Sequence, residues 1–453
     1  ARAGGWLTSA TTRRDGIVAL ADAGPGILHL LGLPQPEAMT AQPFRAIPGP
    51  GPGRFEALAR MQEVALFHSR WVPQFFITSL LLQAALYLFA YSRLPWGPGA
   101  VAQAGRLIEE PVRSRAGVVR FLALAFMALP LATLVVRATG ADLWGAGAAG
   151  LVLVGTCALS AAVARAGPWR RWASGPPAFV CALTGVVIVA DLLTGSRLQM
   201  SSLLGYSPIV AGRFFGVGNL VFAVLATSAM LVVAGLAARV PRRRPLVVVA
   251  LGLVVVVAEG GPMFGADLGG VLAMVPAFGL LALLVSGRRV SWWKLILVGA
   301  ATAVGAALVG YMDSLRPLED QTHIGRFFTR LVEAGPSAVS GIIVRKASAN
   351  WNVLTSSVLT LSVPIAVAFV VLVLMRPAGR LRRALDEEPG LRWGLQAAAV
   401  VNVLGFALND SGIAITAMGI ALALPYCLAT VLGMTDDPAA PAPTAGGRVT
   451  SAR

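Results

Sequence analysis

The segment Gly205-Tyr-Ser-Pro-Ile-Val-Ala-Gly-Arg-Phe-Phe-Gly-Val-Gly-Asn219 lies between two long apolar runs and combines glycines, aromatic residues and one arginine. A simple connecting loop has no need for that composition. Three other short polar segments interrupt the apolar sequence in a similar way: Glu259-Gly-Gly-Pro-Met-Phe-Gly-Ala-Asp267, Glu319-Asp-Gln-Thr-His-Ile-Gly-Arg326 and Asn409-Asp-Ser-Gly412. We expect the four segments to lie on one side of a membrane and to form a polar site there.

The composition of the chain is that of a membrane protein. Of its 453 residues, 56% are hydrophobic and 13% are charged, and the mean hydropathy is +0.74. A soluble protein of this size has about a quarter of its residues charged. The net charge of +16 is concentrated in short loops between apolar runs, where membrane orientation explains it better than nucleic-acid binding does. We therefore predict the lipid bilayer as a partner, with no nucleic acid bound.

Cysteine and histidine usage argues against a metal centre built by this chain. Cys157, Cys181 and Cys427 all lie within apolar runs, where they are expected to be small core residues. There are only three histidines, and no cofactor is indicated. The excess of arginine, alanine and glycine indicates a bacterial genome of high GC content. Residue 1 opens in mid-sequence, so we expect a C-terminal piece of a longer protein.

Apolar runs of spanning length predict about eleven transmembrane helices in an all-α polytopic fold. Two predictions are weak, because one run is short and ends on Glu259 and because the last two runs are separated only by Asn409 to Gly412. The predicted spans are 72–92, 117–136, 143–163, 177–194, 215–238, 245–259, 265–286, 293–312, 352–375, 393–409 and 411–432.

The distribution of basic residues predicts the orientation of these spans. Alternate loops are rich in arginine, and the positive-inside rule places them in the cytoplasm of a cell whose plasma membrane holds the protein. The N-terminus is then outside and the C-terminus inside, and all four polar segments fall on the outer face. The basic loops contain Arg93 to Arg115, Arg165 to Arg171, Arg239 to Arg244, Arg288 to Lys294 and Arg376 to Arg392.

Four regions are predicted along the chain. Residues 1–53 form a short extracytoplasmic remnant and a Pro/Gly-rich linker, and residues 54–71 form an amphipathic helix on the membrane surface. Residues 72–433 form the transmembrane domain. Residues 434–453 are small and polar and form a disordered cytoplasmic tail.

The first fifty residues carry a helix pattern with Asp22, Pro25, Leu28, Leu31 and Gly32. This pattern resembles the closing segment of the alkaline phosphatase and sulfatase superfamily, although Gly26 stands where that family has threonine. The resemblance implies an extracytoplasmic location. The family's nucleophile and metal ligands precede this segment and are absent from the chain, so no catalytic residue is carried over. An unrelated amphipathic helix is the alternative.

Arg213 and Asn219 flank a glycine-rich turn at the predicted outer start of a span. Glycines at 212, 216 and 218 allow a ligand to approach the backbone closely. A helix N-terminus with free N–H groups beside an arginine binds phosphate or carboxylate groups. The alternative is an interfacial arginine that extends to the membrane surface while the glycines serve helix packing.

Candidate acidic groups lie at the ends of the later predicted spans. Glu259, Asp267 and Asp410 are carboxylates at membrane depth, where charged groups are costly and usually functional. They could bind a cation, act as general acid and base, or pair structurally with arginine. The sequences Gly265-Ala-Asp-Leu-Gly269 and Leu408-Asn-Asp-Ser-Gly412 are similar, which hints at a duplicated unit and at broken helices of the transporter type.

The longest outer loop holds further candidates. His323 is a candidate base near neutral pH, although a single histidine in a loop is more often solvated. Substrate binding is predicted for Arg326, Arg345 and Lys346 of this loop, of which Arg345 and Lys346 are suited to clamp a phosphate, and for Asn409 between the last two spans.

Two functions fit these observations. The first is an extracytoplasmic enzyme, of the phospho- or glycosyl-transfer type, acting on a phosphorylated or lipid-linked envelope substrate. The second is an ion- or proton-coupled transporter or lipid flippase, in which Asp267 and Asp410 couple protonation to movement. A passive membrane anchor needs neither polar outer segments nor intramembrane aspartates. No nucleotide-binding motif is present in the sequence.

Overall fold

A computed structural model describes residues 5–36, 39, 41–49, 51–93, 110–210, 213–288, 290–316, 362–375, 377 and 379–434, with short groups of residues between 325 and 355. His323, Arg326, Arg345 and the tail after residue 434 lie outside the described residues.

Residues 5–47 form a small N-terminal lobe. Strand β1 (Trp6–Ser9) pairs antiparallel with β2 (Phe44–Ile47), and helix α1 (Ala23–Leu30) lies between them in sequence. The buried carboxylate of Asp22 accepts hydrogen bonds from the Ser9 hydroxyl (2.6 Å) and the Ala19 backbone N–H (2.9 Å). This carboxylate ties the end of β1 to the start of α1, because both donors bond to one oxygen.

The rest of the described chain is helical. The helices are α2 (Arg54–Arg93), α3 (Glu110–Met127), α4 (Leu129–Thr139), α5 (Ala146–Ala166), α6 (Gly175–Leu193), α7 (Asn219–Arg239), α8 (Arg244–Gly260), α9 (Leu268–Val285), α10 (Trp292–Ser314), α11 (Ser362–Phe369, continued by a π-helix to Met375), α12 (Gly379–Glu387), α13 (Pro389–Leu408) and α14 (Gly412–Gly433). The chain is therefore an all-helical, multi-pass membrane protein with a small two-stranded lobe.

Eight of these helices are long and apolar enough to cross a membrane, or nine if α3 and α4 count as one bent span. Eleven spans were predicted. The difference lies in α8, which has only 17 residues, and in the predicted span 352–375, which is only partly within the described residues. Helices α3 and α4 meet at a 52° bend, where Pro130 in the first turn of α4 cannot donate a backbone hydrogen bond.

Helix α2 runs without interruption for 40 residues through the predicted boundary between a surface helix and the first span. The separate surface helix expected at 54–71 is thus continuous with the span that follows it. Pro73 lies inside this helix, so its ring removes one backbone hydrogen bond without ending the helix.

Helix α7 lies at the centre of the bundle. In its apolar window, 83% of the residues are buried, compared with 11% in α2 and 22% in α5. Phe222, Leu225 and Met230 on this helix are almost completely buried. The three cysteines are also buried and unpaired, which confirms their prediction as core residues.

Hydrogen bonds between helices define two ends of the bundle. At one end Arg120 donates to the carbonyls of Ala429 (3.1 Å) and Ala173 (3.3 Å), and Arg239 donates to the Ser174 hydroxyl (3.1 Å). We call it the basic end, because Arg165, Arg239 and Arg244 also make their contacts there. The opposite end holds residues 194–210, 213–218, 261–267 and 409–411, and we call it the polar end. The assignment of the polar end to the outside stays a prediction of the positive-inside rule.

Candidate functional site

Two of the polar segments meet directly at the polar end. The Val217 backbone N–H donates to the Gly265 carbonyl (2.9 Å), and the close approach of that carbonyl leaves no room for a Cβ at Gly216. Gly216 has a φ of +77°, which other residues rarely adopt. The glycine requirement at this position therefore comes from packing between two loops.

The start of α7 differs from the expectation. A helix N-terminus with free N–H groups was predicted directly after Gly212, but α7 begins at Asn219. The Gly218 N–H donates to the side-chain carbonyl of Gln199 (3.2 Å), so this donor is occupied. The prediction was wrong because Val217 bonds to the neighbouring loop and residues 214–216 form a bend, so the helix starts only after them.

A buried network supports this loop, and the sequence analysis did not find it. Gln199 also donates to the Asp191 carboxylate (3.1 Å), which accepts a second hydrogen bond from the Leu198 N–H (2.8 Å). Both side chains are buried. The sequence did offer one signal for this network. Asp191 lies near the end of an apolar run, and a carboxylate at membrane depth needs a hydrogen-bonding partner.

Glu259 and Asp267 form a buried acidic pair. The chain turns back between them, so that the Asp267 N–H bonds to the Glu259 carbonyl (3.3 Å). Glu259 Oε1 and Asp267 Oδ2 lie 2.5 and 3.0 Å from the point that a Cβ on Gly270 would occupy. Glu259 is completely buried and Asp267 is 5% exposed. The sequence predicted these two residues as candidates, and the structure brings them together.

The acidic pair has no cation bonded to it among the described residues. Glu259 Oε1, Glu259 Oε2 and Asp267 Oδ2 accept no hydrogen bond from any described group. The two side chains are within hydrogen-bonding reach of each other, and two carboxyl groups form such a bond only when one carries a proton. The arrangement therefore suits a shared proton, as like charges this close do not both ionise easily.

Asn409 lies beside the pair. Its amide oxygen is 2.8 Å from the point that a Cβ on Gly269 would occupy, one residue before Gly270. The amide nitrogen donates to the Gly405 carbonyl (3.1 Å), the last turn of α13. The break between α13 and α14 thus brings a polar side chain onto the first turn of α9.

Asp410 has a different environment. Its carboxylate lies 3.4 Å from the Lys346 ammonium, and its side chain is 59% exposed. Asn350 bridges the same break, because its amide donates to the Asn409 carbonyl (3.0 Å) and accepts from the Gly412 N–H (2.8 Å). Lys346 and Asp410 were predicted as site residues, and the structure pairs them on the surface.

Arg213 lies within electrostatic range of the acidic pair. Its charge acts on Glu259 and also on the hydroxyl of Tyr206. Burial raises the pKa of Tyr206 to about 12, although the nearby Arg14 opposes this change. Tyr206 therefore stays a neutral donor at any physiological pH, and its hydroxyl donates to the Ser196 carbonyl (3.3 Å).

The N-terminal lobe binds directly to the polar end through two arginines that the sequence analysis missed. Arg14 donates to the carbonyls of Phe214 and Ser196, both at 2.8 Å. Arg13 donates to the Pro262 carbonyl (2.8 Å), and its guanidinium lies 4.2 Å from the centre of the Phe215 ring. The lobe therefore covers the loops on either side of the acidic pair.

The acidic pair of Glu259 and Asp267 offers carboxyl groups that can exchange a proton, and Arg213 is a cation within electrostatic range of Glu259. Among the described residues, no three histidine, cysteine, aspartate or glutamate side chains gather into a metal-binding group. No family model, curated protein or solved structure matches the chain. What the fold and the site define together is a class: a multi-pass helical membrane protein with a buried acidic pair between interrupted helices.

Proposed function

We propose that this protein is a proton-coupled transporter or flippase of the plasma membrane that carries an anionic, phosphorylated or lipid-linked envelope substrate. The observation that carries the proposal is the buried acidic pair of Glu259 and Asp267, whose oxygens have no cation bonded to them among the described residues. Buried carboxyls in a membrane bundle are typical of proton relays, because protonation removes their charge.

The surroundings of the pair support movement of a substrate. Three helix breaks converge on it, before α7, between α8 and α9, and between α13 and α14. Interrupted helices with polar ends are the usual construction of transporter binding sites. When the pair carries one proton its net charge falls, and an anion approaching Arg213 meets less repulsion. Substrate binding and proton binding are then favourable together.

Arg213 is the predicted anchor for the phosphate group of the substrate. A planar guanidinium donates two parallel hydrogen bonds to a phosphate, which lysine cannot reproduce. Arg326, Arg345 and His323, from the loop outside the described residues, are proposed as further contacts on the same face. Arg213→Lys should therefore weaken substrate binding and leave the bundle intact.

The experiment uses purified protein in proteoliposomes with an entrapped pH-sensitive dye. Phosphatidic acid, polyprenyl phosphate and inorganic phosphate are added in turn, and internal acidification is followed. We expect one of these probes to drive proton uptake in the wild type, and Glu259→Gln and Asp267→Asn to abolish it. Glu387→Gln is the control, because Glu387 is half exposed on α12 and pairs with Arg383. Equal uptake in wild type and Glu259→Gln contradicts the proposal.

A second candidate is an extracytoplasmic transferase or hydrolase acting on the same class of substrate. Its support is the contact of the lobe with the loops around the acidic pair, through Arg13 and Arg14. The lobe's resemblance to the end of an alkaline phosphatase-like domain makes an enzyme at this surface reasonable. Glu259 and Asp267 would then act as general acid and base. Release of phosphate from a lipid phosphate in detergent, lost in Asp267→Asn, would favour this candidate.

A further inference from the structure

A second polar group lies deeper in the bundle than the acidic pair. The Asn402 amide nitrogen of α13 donates to the Thr227 hydroxyl of α7 (3.0 Å) and to the Ala398 carbonyl (2.8 Å). The Asn402 amide oxygen accepts no hydrogen bond from any described group. Gly419 of α14 has no space for a Cβ because this amide lies against it. An unused acceptor at this depth is costly, so a role beyond helix packing is indicated.

The polar group lies below the acidic pair along one face of α13. Asn402 and Asn409 are seven residues apart, which is two turns, so they lie on the same side of the helix about 10 Å apart along its axis. Asn409 lies on Gly269, next to the glycine that faces the acidic pair. The face of α13 therefore leads from the acidic pair to Asn402.

The ring of Phe222 packs between α9 and the same segment of α13. Its edge atoms lie 3.1 Å from the point that a Cβ on Gly270 would occupy and 3.0 Å from the corresponding point on Gly405. Phe222 is completely buried. Gly405 lies between Asn402 and Asn409 in the sequence of α13, so the ring contacts both the glycine that faces the acidic pair and the stretch of α13 that leads to Asn402.

We propose that Asn402 and Thr227 form an intramembrane water-binding station of a proton path, and that Phe222 is the apolar barrier between this station and the acidic pair. The inference rests on the proposed proton coupling and specifies its route. When the ring moves aside, a water between the two groups takes the proton: the carboxyl O–H breaks and an O–H forms on the water. The free oxygen of Asn402 accepts a hydrogen bond from that water and holds it in place.

A structural explanation of the Asn402–Thr227 hydrogen bond is that it only holds α7 against α13. That role uses the amide nitrogen of Asn402 and leaves its amide oxygen without a hydrogen bond. It also predicts no effect of Asn402 on proton movement once the protein is folded. The two explanations are therefore separable by measuring passive proton flux.

The test measures proton leak in proteoliposomes with an entrapped pH dye, a valinomycin-induced potassium potential and no substrate. We expect Phe222→Ala to raise the leak at least about tenfold over wild type, since removing an apolar constriction admits water. In that background, Asn402→Leu and Glu259→Gln should each return the leak to within about twofold of wild type, because each removes one end of the path. Phe222→Leu, which preserves more volume, should give a smaller leak and serves if the alanine variant does not fold.

Phe278→Ala is the matched control, because Phe278 is a buried phenylalanine of α9 that packs on Gly252 of α8. It should remain as tight as wild type. A tight Phe222→Ala variant overturns the inference, and so does a leak that is unchanged by both Asn402→Leu and Glu259→Gln. If the leak behaves as expected but no anionic probe drives proton uptake in the wild type, the path stands and the proposed transport function fails.

Discussion

Acidic residues at the two ends of the bundle have opposite kinds of surroundings. At the basic end, Glu388 accepts a hydrogen bond from the Ser174 hydroxyl (3.0 Å) and lies 4.0 Å from Arg239, which also lies over the Trp172 ring. At the polar end, Glu259 has only another carboxyl group within reach, among the described residues. A glutamate therefore has a hydroxyl donor and a nearby cation at the basic end, whereas a glutamate at the polar end has another acidic residue as its neighbour.

The comparison teaches which of the two ends is built for stability. A partly exposed ion pair with a supporting hydroxyl costs little and contributes little. A buried carboxyl pair without a cation destabilises the fold unless it binds a proton or another ligand. The following predictions test this difference, from the largest expected effect to the smallest.

Filling the space above the acidic pair should be the most damaging change. Gly270→Val places side-chain atoms where Glu259, Asp267 and the Phe222 ring already lie, and overpacking of this kind costs about 3 kcal/mol or more. The measurement is thermal unfolding in detergent. Gly150→Val on α5 is the control, because nothing lies within 4 Å of its Cβ position. Equal unfolding temperatures for the two variants would show that the polar end is loosely packed.

Removing Arg14 should free the lobe from the polar end. Arg14→Ala eliminates two charge-assisted hydrogen bonds to backbone carbonyls, worth about 2 kcal/mol of docking free energy together. Hydrogen exchange at residues 214–217 should accelerate. Arg45→Ala, on the exposed side of β2, is the control. Unchanged exchange in Arg14→Ala would mean that other contacts hold the lobe in place.

Neutralising Glu259 should stabilise the protein. Glu259→Gln keeps the shape and removes the need to bind a proton on folding, so we expect the free energy of unfolding to rise by about 1 kcal/mol at pH 8, where the unfolded chain has released that proton. Thermal unfolding at pH 8 measures the change. A fall in stability would show that an unseen cation or water satisfies the pair in the wild type.

The equivalent change at the basic end should have the opposite sign and the smallest size. Glu388→Gln weakens the attraction to Arg239, and a partly exposed ion pair of this length contributes about 0.5 kcal/mol. The same unfolding measurement, with and without 0.5 M salt, checks it, because roughly half-molar salt screens such pairs. A stabilising Glu388→Gln would remove the distinction between the two ends.

Part of the site was predictable from the sequence, because polar and acidic residues are rare within apolar runs and stand out there. Glu259, Asp267 and Asn409 interrupt apolar runs, and alternation of the spans placed them at one end without any knowledge of packing. Gln199, Phe222 and Asn402 were missed. Each owes its role to a contact with a helix or loop that is distant in sequence, and composition carries no information about such contacts.

For Arg213, the position in the chain was predictable from the sequence but the local structure was not. Its position at the polar end was predicted from the loops, but the helix N-terminus expected beside it does not exist, because Val217 bonds to Gly265 and the helix begins at Asn219. Arg13 and Arg14 show the converse: an ordinary surface turn in the sequence is the contact between lobe and bundle.

The sequence by itself determined that this protein is a multi-pass helical bundle, and it predicted that the polar interruptions lie on one face. The physical reason is that the bilayer sets the length of each apolar run and that basic loops stay on one side. Only the tertiary structure decided which acidic residues have partners. The partners of a carboxylate come from the helices and loops that pack against it. Glu388 therefore contacts Ser174 and Arg239, whereas Glu259 lies beside Asp267.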